Sequence, residues 1–263
     1  MTADGGPAES LVGRQDLHVH TTMSDGSVPL EELVEIGRRR GVQVGVADHV
    51  SRRNPQRFVS TEMKVRRYLD ALEAHDVFVS GEFCWCDDFY AELPPEVMAR
   101  FDYLVGSNHG FALPGGGMGS PWWGELPPAW KHRPHELMDV MVDELCRMVR
   151  TMPIQIVAHS TLAPAALYEL EDDVEAWWTD EREDRWVEAL ARSGVALEIS
   201  NRYRLPHDRL LRKALQAGVR FSLGSDGHGR GQVVRLEWAV ETARRVGVTD
   251  AHLFVPQRRR GRD

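Results

Sequence analysis

The chain alternates short apolar segments with longer amphipathic ones, and this alternation sets the strongest limit on its fold. Seven segments rich in Val, Ile and Leu have the length of strands, and most precede a segment with helical periodicity. They lack a clean polar-apolar alternation, which is typical of parallel strands buried on both faces. The predicted strands are 15–20, 43–49, 77–83, 103–109, 154–159, 196–200 and 220–226, and the predicted helices are 29–40, 61–75, 94–100, 135–150, 183–193, 207–217 and 233–246.

The repeats follow one another without a linker, which predicts a single α/β domain. The residues alone leave two architectures open, a barrel and an open doubly wound sheet. A length of 263 residues is ordinary for one such domain. We place it at 12–254, between a disordered segment at 1–11 and a basic tail at 255–263. The acidic segment 169–184 is predicted as a solvated helical excursion.

An insertion loop at 111–134 interrupts the alternation and contains three tryptophans. A loop of this length inside a compact domain is typical of a lid or a binding loop. Its indole rings are therefore candidates to cover the site or the substrate. Packing of the loop onto the body of the domain explains the same tryptophans equally well.

Residues of metal-ligand type recur where the predicted strands end. His18 and His20 are separated by one residue, so their imidazoles lie on one face of the first strand, and Asp25 follows after a turn. The ends of the later strands carry His49, Glu82, His109, His159, Asp226 and His228. Because the carboxyl ends of parallel strands meet at one rim, we expect all these side chains to converge there.

Convergence of so many imidazoles and carboxylates predicts bound cations. Crowded carboxylates repel one another, and divalent cations remove this repulsion by binding the deprotonated groups. A catalytic zinc ion uses about three protein ligands, so the set suffices for two or three divalent ions. Nitrogen and oxygen donors without thiolate suit Zn, Mn or Fe. Cys84 and Cys86 flank Trp85 in the manner of a zinc pair, but we interpret them as packing or oxidation-sensitive residues.

The ordered series of these motifs resembles the PHP family, the polymerase and histidinol phosphatase superfamily. The motifs are His18-x-His20 with Asp25, then Asp48-His49, Glu82, Ser107-Asn108-His109, His159 and Asp226-Gly227-His228. Together they span residues 15 to about 230, nearly the whole predicted domain. The resemblance implies a distorted (β/α)7 barrel of the TIM type with a trinuclear metal site.

The resemblance also divides the donors among three ions. The implied ligand sets are His18, His20, Glu82 and Asp226 for one ion, Glu82, His109 and His159 for a second, and Asp25, His49 and His228 for a third. The sequence departs from the family pattern at Ala47, where many members carry Thr. The tryptophan-rich loop after His109 has no obvious family counterpart, so the resemblance leaves the substrate open.

The resemblance implies a phosphoesterase activity like that of histidinol phosphatases. Paired divalent ions hold a hydroxide at neutral pH and neutralise a phosphoryl group, which suits hydrolysis of a small phosphomonoester. Histidinol phosphate and a nucleotide-like phosphate are the substrates suggested. Guanidinium groups are good hydrogen-bond donors to phosphate, and one of the pair Arg202 and Arg204 is expected to bind the phosphate. Asp48 is expected to orient a ligand, with proton transfer as its alternative role.

Composition limits the classes of partner. A net charge of −8 and a pI near 5.8 disfavour a large nucleic-acid footprint. No apolar run approaches the about 20 residues of a membrane helix. The absence of a signal segment and the odd number of cysteines, three, lead us to expect a cytoplasmic protein.

Three other functions compete with the phosphomonoesterase. One is a phosphodiesterase or exonuclease that acts on short nucleic acid, which the acidic chain disfavours. Another is a metal-binding module without catalysis. A metal-dependent amidohydrolase would use fewer donors and often a bridging lysine, but none of the three lysines lies at a predicted strand end.

Overall fold

The computed structural model describes residues 10–122 and 125–259. Residues 1–9 of the predicted disordered segment, Trp123 of the insertion loop and residues 260–263 of the predicted tail lie outside the described residues. The strands are β1 Gln15–Val19, β2 Gln43–Val46, β3 His49–Val50, β4 Phe78–Val79, β5 Glu82–Cys84, β6 Val105–Ser107, β7 Phe111–Ala112, β8 Met118–Gly119, β9 Ile156–Val157, β10 Ala196–Ser200 and β11 Phe221–Gly224.

The helices between these strands follow the predicted alternation. They are α1 Leu30–Arg40, α2 Glu62–Glu73, α3 Phe89–Glu92, α4 Pro95–Met98, α5 Pro134–Thr151, α6 Ala165–Tyr168, α7 Val174–Trp177, α8 Asp180–Ser193, α9 Asp208–Gln216 and α10 Glu237–Val246. Among the described residues, no helix is both long and apolar enough to cross a membrane.

The strands form two parallel sheets and one small antiparallel pair. The first sheet has the order β1-β2-β4, and the second has the order β11-β10-β9-β6-β5-β3. β7 and β8 of the insertion loop pair antiparallel. The register of β3 and β5 places His49 beside Glu82, and that of β10 and β11 places Glu198 beside Ser222. The prediction of a single α/β domain with parallel strands is confirmed.

Two of the predicted strands are interrupted near their middle. One consists of β2 followed by β3, and the other of β4 followed by β5. The hydroxyl of Tyr68 in α2 lies at the interruption, 2.7 Å from Ser80 O and 3.2 Å from both Val46 O and Asp48 N. The hydrogen bonds to this hydroxyl occupy backbone groups that would otherwise continue the hydrogen-bond ladder between the two strands. The prediction of unbroken strands is wrong here for that reason.

β1 is also hydrogen-bonded to the segment that follows β11. The backbone N–H of Asp226 donates to His18 O at 2.8 Å, and that of His20 donates to Gly227 O at 3.0 Å. The first strand therefore has β2 on one side and the chain after β11 on the other. This arrangement brings the first and last donor motifs of the sequence side by side.

The main hydrophobic core lies between the strands and the helices. Val19, Val46, Val79 and Ile199 of the strands are fully buried. The same cluster includes the helix residues Leu33 of α1, Leu69 of α2, Met141 of α5, Trp186 of α8, Leu210 of α9 and Ala243 of α10. Apolar side chains thus fill the space between the layers, and the polar donors are left at the strand ends.

The last helix begins later than predicted, at Glu237. Val234, inside the predicted helix, has a left-handed φ of 57° and cannot belong to it. Asn201 Oδ1 accepts hydrogen bonds from the backbone N–H groups of Trp238 at 3.0 Å and Ala239 at 3.2 Å. A side chain from the end of β10 therefore caps α10, and no local signal in the sequence announces it.

The insertion loop contains the β7-β8 pair and a short 3-10 helix, Pro128–Trp130, before α5 begins. Trp130 is buried in the main core, so this indole packs the loop onto the body. Trp122 is 45% exposed and lies beside two of the candidate metal ligands. The packing interpretation is thus confirmed for Trp130, and the prediction that a loop tryptophan covers the substrate remains open for Trp122.

The acidic segment 169–184 is not solvated throughout. It contains α7 and the beginning of α8. Trp177 and Trp178 are buried in the core, and their indole N–H groups donate to Glu171 O and Thr161 O at 2.8 and 2.9 Å. The prediction of a solvated excursion is wrong for this part because two large aromatic side chains hold it against the domain.

Candidate metal centre

All nine predicted metal ligands lie at one end of the parallel strands. His18 is in β1, His49 in β3 and Glu82 in β5. The other six follow strands or lie in the turn after β1: His20, Asp25, His109, His159, Asp226 and His228. Seven of the nine form overlapping groups that could hold a metal ion: His18 with His20 and Glu82, His49 with Glu82 and His109, and His20 with Asp25, His49 and His228. The strand ends converge as the alternation predicts.

The first group of donors surrounds Nε2 of His20. This nitrogen lies 3.2 Å from His18 Nε2, 3.2 Å from Asp226 Oδ1 and 3.6 Å from Glu82 Oε2. Two ligand atoms on one tetrahedral zinc ion, each about 2.0–2.1 Å from it, lie roughly 3.3 Å apart. The observed separations therefore suit one bound ion with little rearrangement.

The second group shares Glu82 with the first. Oε1 of Glu82 lies 3.2 Å from His109 Nε2 and 3.2 Å from His159 Nε2. The same oxygen is 3.7 Å from His18 Nε2. One carboxylate thus faces imidazoles from three different strand ends, which is the position of a ligand that can bind two neighbouring ions.

The third group is centred on Asp25. Its Oδ1 lies 3.3 Å from His228 Nε2, 3.5 Å from His49 Nε2 and 3.7 Å from His20 Nδ1. The other ring nitrogen of His49, Nδ1, is 2.7 Å from Glu82 Oε2. His49 therefore lies between the third group and the carboxylate that links the first two.

The chemistry of these donors fits metal ions. Among the described residues, His20 Nδ1 is buried without a hydrogen-bond partner, and His49 Nδ1 and Glu82 Oε2, although 2.7 Å apart, do not meet with hydrogen-bond geometry. Such orphaned buried atoms are costly unless something else satisfies them. Burial lowers the pKa of His20 to about 3, which keeps its imidazole neutral. Burial alone would raise the pKa of Glu82, but His49, His109 and His18 outweigh it and hold the pKa well below its usual range.

Glu198 of β10 contacts the imidazole of His18 and the backbone of His159, and the sequence analysis did not identify it. Its Oε1 lies 2.7 Å from His18 Nδ1, and its Oε2 accepts a hydrogen bond from the backbone N–H of His159 at 2.8 Å. A bond between Glu198 and a protonated Nδ1 turns His18 Nε2 toward the other donors. The available signal was a carboxylate inside an otherwise apolar strand, Ala196–Ser200.

Asp48 holds the turn between His20 and Asp25. Its Oδ1 accepts from Thr21 N at 2.8 Å, its Oδ2 accepts from Thr21 Oγ1 at 2.6 Å, and the Ser24 hydroxyl also donates to it. The turn is tight, because a Cβ at Gly26 would lie 2.7 Å from His20 O. Asp48 therefore reaches Asp25 through the backbone of the turn.

A cavity of about 320 Å³ opens over the three groups. Its walls beyond the donors consist of Arg53, Phe58, Ser120, Trp122, Arg202 and Tyr203. Nη1 of Arg202 donates to Asp226 O at 3.2 Å, which anchors this guanidinium beside the donors. Arg204 instead lines a neighbouring groove with Arg235 and Trp238. Of the two predicted phosphate-binding arginines, the structure places Arg202 in the cavity.

Fold and donor set together define the class: a mixed α/β protein with parallel sheets and a candidate metal centre at the strand ends. Among solved structures, the chain is similar to a histidinol phosphate phosphatase from Lactococcus lactis subsp. lactis Il1403, complexed with zinc, L-histidinol and phosphate. The TM-score is 0.64 at 17% sequence identity, and the match covers 92% of this chain and 95% of that chain. No family model matches the sequence, and no curated protein matches it.

Proposed function

We propose that this protein is a metal-dependent phosphoesterase of the PHP type that hydrolyses a small phosphomonoester. The observation that carries the proposal is the position of Glu82, whose two carboxylate oxygens lie within 3.7 Å of ring nitrogens from five histidines. The zinc, L-histidinol and phosphate in the similar solved structure support the same class of chemistry.

The proposed centre holds two or three divalent ions. We assign His18, His20, Glu82 and Asp226 to the first ion, Glu82, His109 and His159 to the second, and Asp25, His49 and His228 to the third. When bound, such ions activate water near neutral pH and neutralise the charge of a phosphoryl group. The donor types suit Zn, Mn or Fe, and the zinc in the similar structure favours zinc.

The protein's own residues would position the phosphate and the ligands. Arg202 presents a guanidinium at the cavity wall, where it can donate to phosphate oxygens. Glu198 holds His18 in orientation, and Asp48 holds the turn that carries Asp25. These contacts keep the donors in place before substrate binds, which is how a preorganised site lowers the barrier to reaction.

We also propose that the parallel strands close into a distorted (β/α)7 barrel spanning residues 12–254, with 111–134 as its insertion. If β2 with β3 and β4 with β5 are each counted as one strand, the two sheets contain seven parallel strands. The hydrogen bonds between β1 and the segment after β11 support closure. Sites in such barrels lie at the carboxyl ends of the strands, where the donors are.

The proposed function is tested by metal analysis of the purified protein together with hydrolysis of para-nitrophenyl phosphate. We expect bound divalent metal, loss of activity on exhaustive chelation and recovery with zinc, manganese or iron. Hydrolysis of bis(para-nitrophenyl) phosphate in preference to the monoester would indicate the phosphodiesterase instead. Metal binding without hydrolysis of any phosphate ester would indicate a non-catalytic module.

The variant Arg202→Gln is expected to raise KM for para-nitrophenyl phosphate while the metal content stays unchanged. A charge-assisted hydrogen bond is worth about 1.5–3 kcal/mol, so the loss in kcat/KM is expected to be on the order of tenfold to a hundredfold. Arg204→Gln, which alters the neighbouring groove, is expected to change KM by less than about twofold. The reverse ranking of the two variants would assign the phosphate to Arg204.

A further inference from the structure

The walls of the cavity narrow the class of substrate, an inference that rests on the proposed phosphomonoesterase. We infer that the part of the substrate that leaves with the ester oxygen is flat and negatively charged. Two independent features carry this: the charges on the cavity walls and the three aromatic rings that line them. Both features lie outside the proposed metal ligands.

Arg53 is fixed at the wall of the cavity. Its Nη1 donates to His109 O at 2.7 Å and lies 3.0 Å from Cys86 Sγ. Gly110 makes room for this group, because a Cβ there would lie 2.6 Å from the same nitrogen. Over the part of the chain that is described, Arg53 forms no ion pair with a carboxylate. A positive charge is thus held beside the donors, and no carboxylate of the described residues pairs with it.

The carboxylates that line the cavity are all proposed metal ligands. Within the described ranges these are Asp25, Glu82 and Asp226, and each belongs to a donor group. None is left for a cationic part of a substrate, whereas Arg53 presents a positive charge in addition to Arg202, which the proposed function assigns to the phosphate. Charge complementarity therefore favours an anionic leaving group and disfavours an aminoalcohol such as L-histidinol.

Aromatic rings enclose the same space. The ring of Phe58 lies 4.3 Å from that of His49, and the ring of Tyr203 lies 5.3 Å from that of His159. Trp122 stands 6.5 Å from Tyr203 at an interplanar angle of 78°. All three rings line the cavity, so a flat ring of the substrate can pack against aromatic faces there.

The test uses three phosphomonoesters built on one phenyl ring: the para-methyl, para-(carboxymethyl) and para-(aminomethyl) compounds. The methylene group separates the charge from the phenol, so the esters have similar intrinsic reactivity. We expect kcat/KM of the metal-loaded enzyme to be highest for the carboxymethyl ester and about tenfold higher than for the aminomethyl ester. An equal or reversed order would overturn the inference.

Arg53→Gln identifies the source of the preference. We expect this variant to retain its metal and to hydrolyse the carboxymethyl and aminomethyl esters with kcat/KM values within about threefold of each other. Arg57→Gln removes the same charge from an exposed position of the same loop outside the cavity lining, and is expected to keep the preference of the parent. A preference that persists in Arg53→Gln would assign it to another group. Should that variant fail to fold, Arg53→Lys, which keeps the charge, is expected to keep the order.

The role of the aromatic lining is tested by competitive inhibition. A para-carboxylated benzylphosphonate is expected to bind the metal-loaded enzyme more tightly than an alkylphosphonate of equal charge, and Trp122→Ala is expected to reduce that difference. Equal inhibition by the two phosphonates would contradict the flat shape. If none of the phenyl esters is hydrolysed, the proposed function fails; if they are hydrolysed without charge preference, only the present inference fails.

Discussion

The variant Glu82→Gln is expected to lose its metal ions and its hydrolysis of para-nitrophenyl phosphate. The carboxylate oxygens of Glu82 lie within 3.7 Å of ring nitrogens of His18, His20, His109 and His159. Glutamine has almost the same shape, but it carries no charge and replaces one oxygen by an NH2 group that only donates. We expect metal affinity to fall by more than the tenfold to roughly hundredfold lost when an outer hydrogen-bond partner is removed.

Glu183→Gln is the matched control for this experiment. Glu183 is also a buried carboxylate in contact with cations, namely Arg209 at 3.0 Å and Lys213 at 3.1 Å, but it lies on α8 away from the cavity. This variant is expected to unfold at a lower temperature and to retain its metal and its activity. Full metal content and parental kcat in purified Glu82→Gln would contradict the proposed centre.

The donors could be predicted from the sequence because parallel strands impose a simple geometry. Each strand end is marked by the loss of an apolar run, and all such ends lie on one side of the sheet. Residues as distant as His18 and His228 could therefore be placed together without any contact information. The same geometry predicted that Glu82 would lie at that rim, whereas its place between two ions was implied by the resemblance to the PHP family.

Other residues of the site could not be predicted because they depend on tertiary contacts. Arg53 and Phe58 come from an irregular loop after β3, and Trp122 comes from the insertion loop. No periodicity specifies where such loops point. Arg202 and Arg204 were equivalent candidates in the sequence. Only the fold shows that Arg202 lines the cavity, whereas Arg204 lines the neighbouring groove and not the cavity. The ends of some strands and helices were predicted wrongly for a similar reason, because side chains distant in the sequence determine them.

The second large effect is expected at Glu198. Its carboxylate accepts from two donors at once, His18 Nδ1 at 2.7 Å and the His159 backbone N–H at 2.8 Å, and it is fully buried. In Glu198→Gln the amide oxygen can accept one of these bonds, and the NH2 group then faces the other donor. One buried donor left unpaired costs about 1–3 kcal/mol in the free energy of unfolding. We also expect metal affinity to fall tenfold to about a hundredfold, because His18 loses its fixed orientation.

Two measurements separate these effects, thermal unfolding in the presence of a chelator and zinc affinity by competition titration. Gly224→Ala should shift both in the same direction, because a Cβ there would lie 2.1 Å from Glu198 Oε1 and displace the carboxylate. Glu144 of α5 is also a buried carboxylate, and it accepts a hydrogen bond from the indole N–H of Trp85 outside the cavity lining. The variant Glu144→Gln is expected to change stability alone. Lower stability with unchanged zinc affinity in Glu198→Gln would mean that Glu198 only packs the strand, and His18 would then owe its orientation to the backbone of β1.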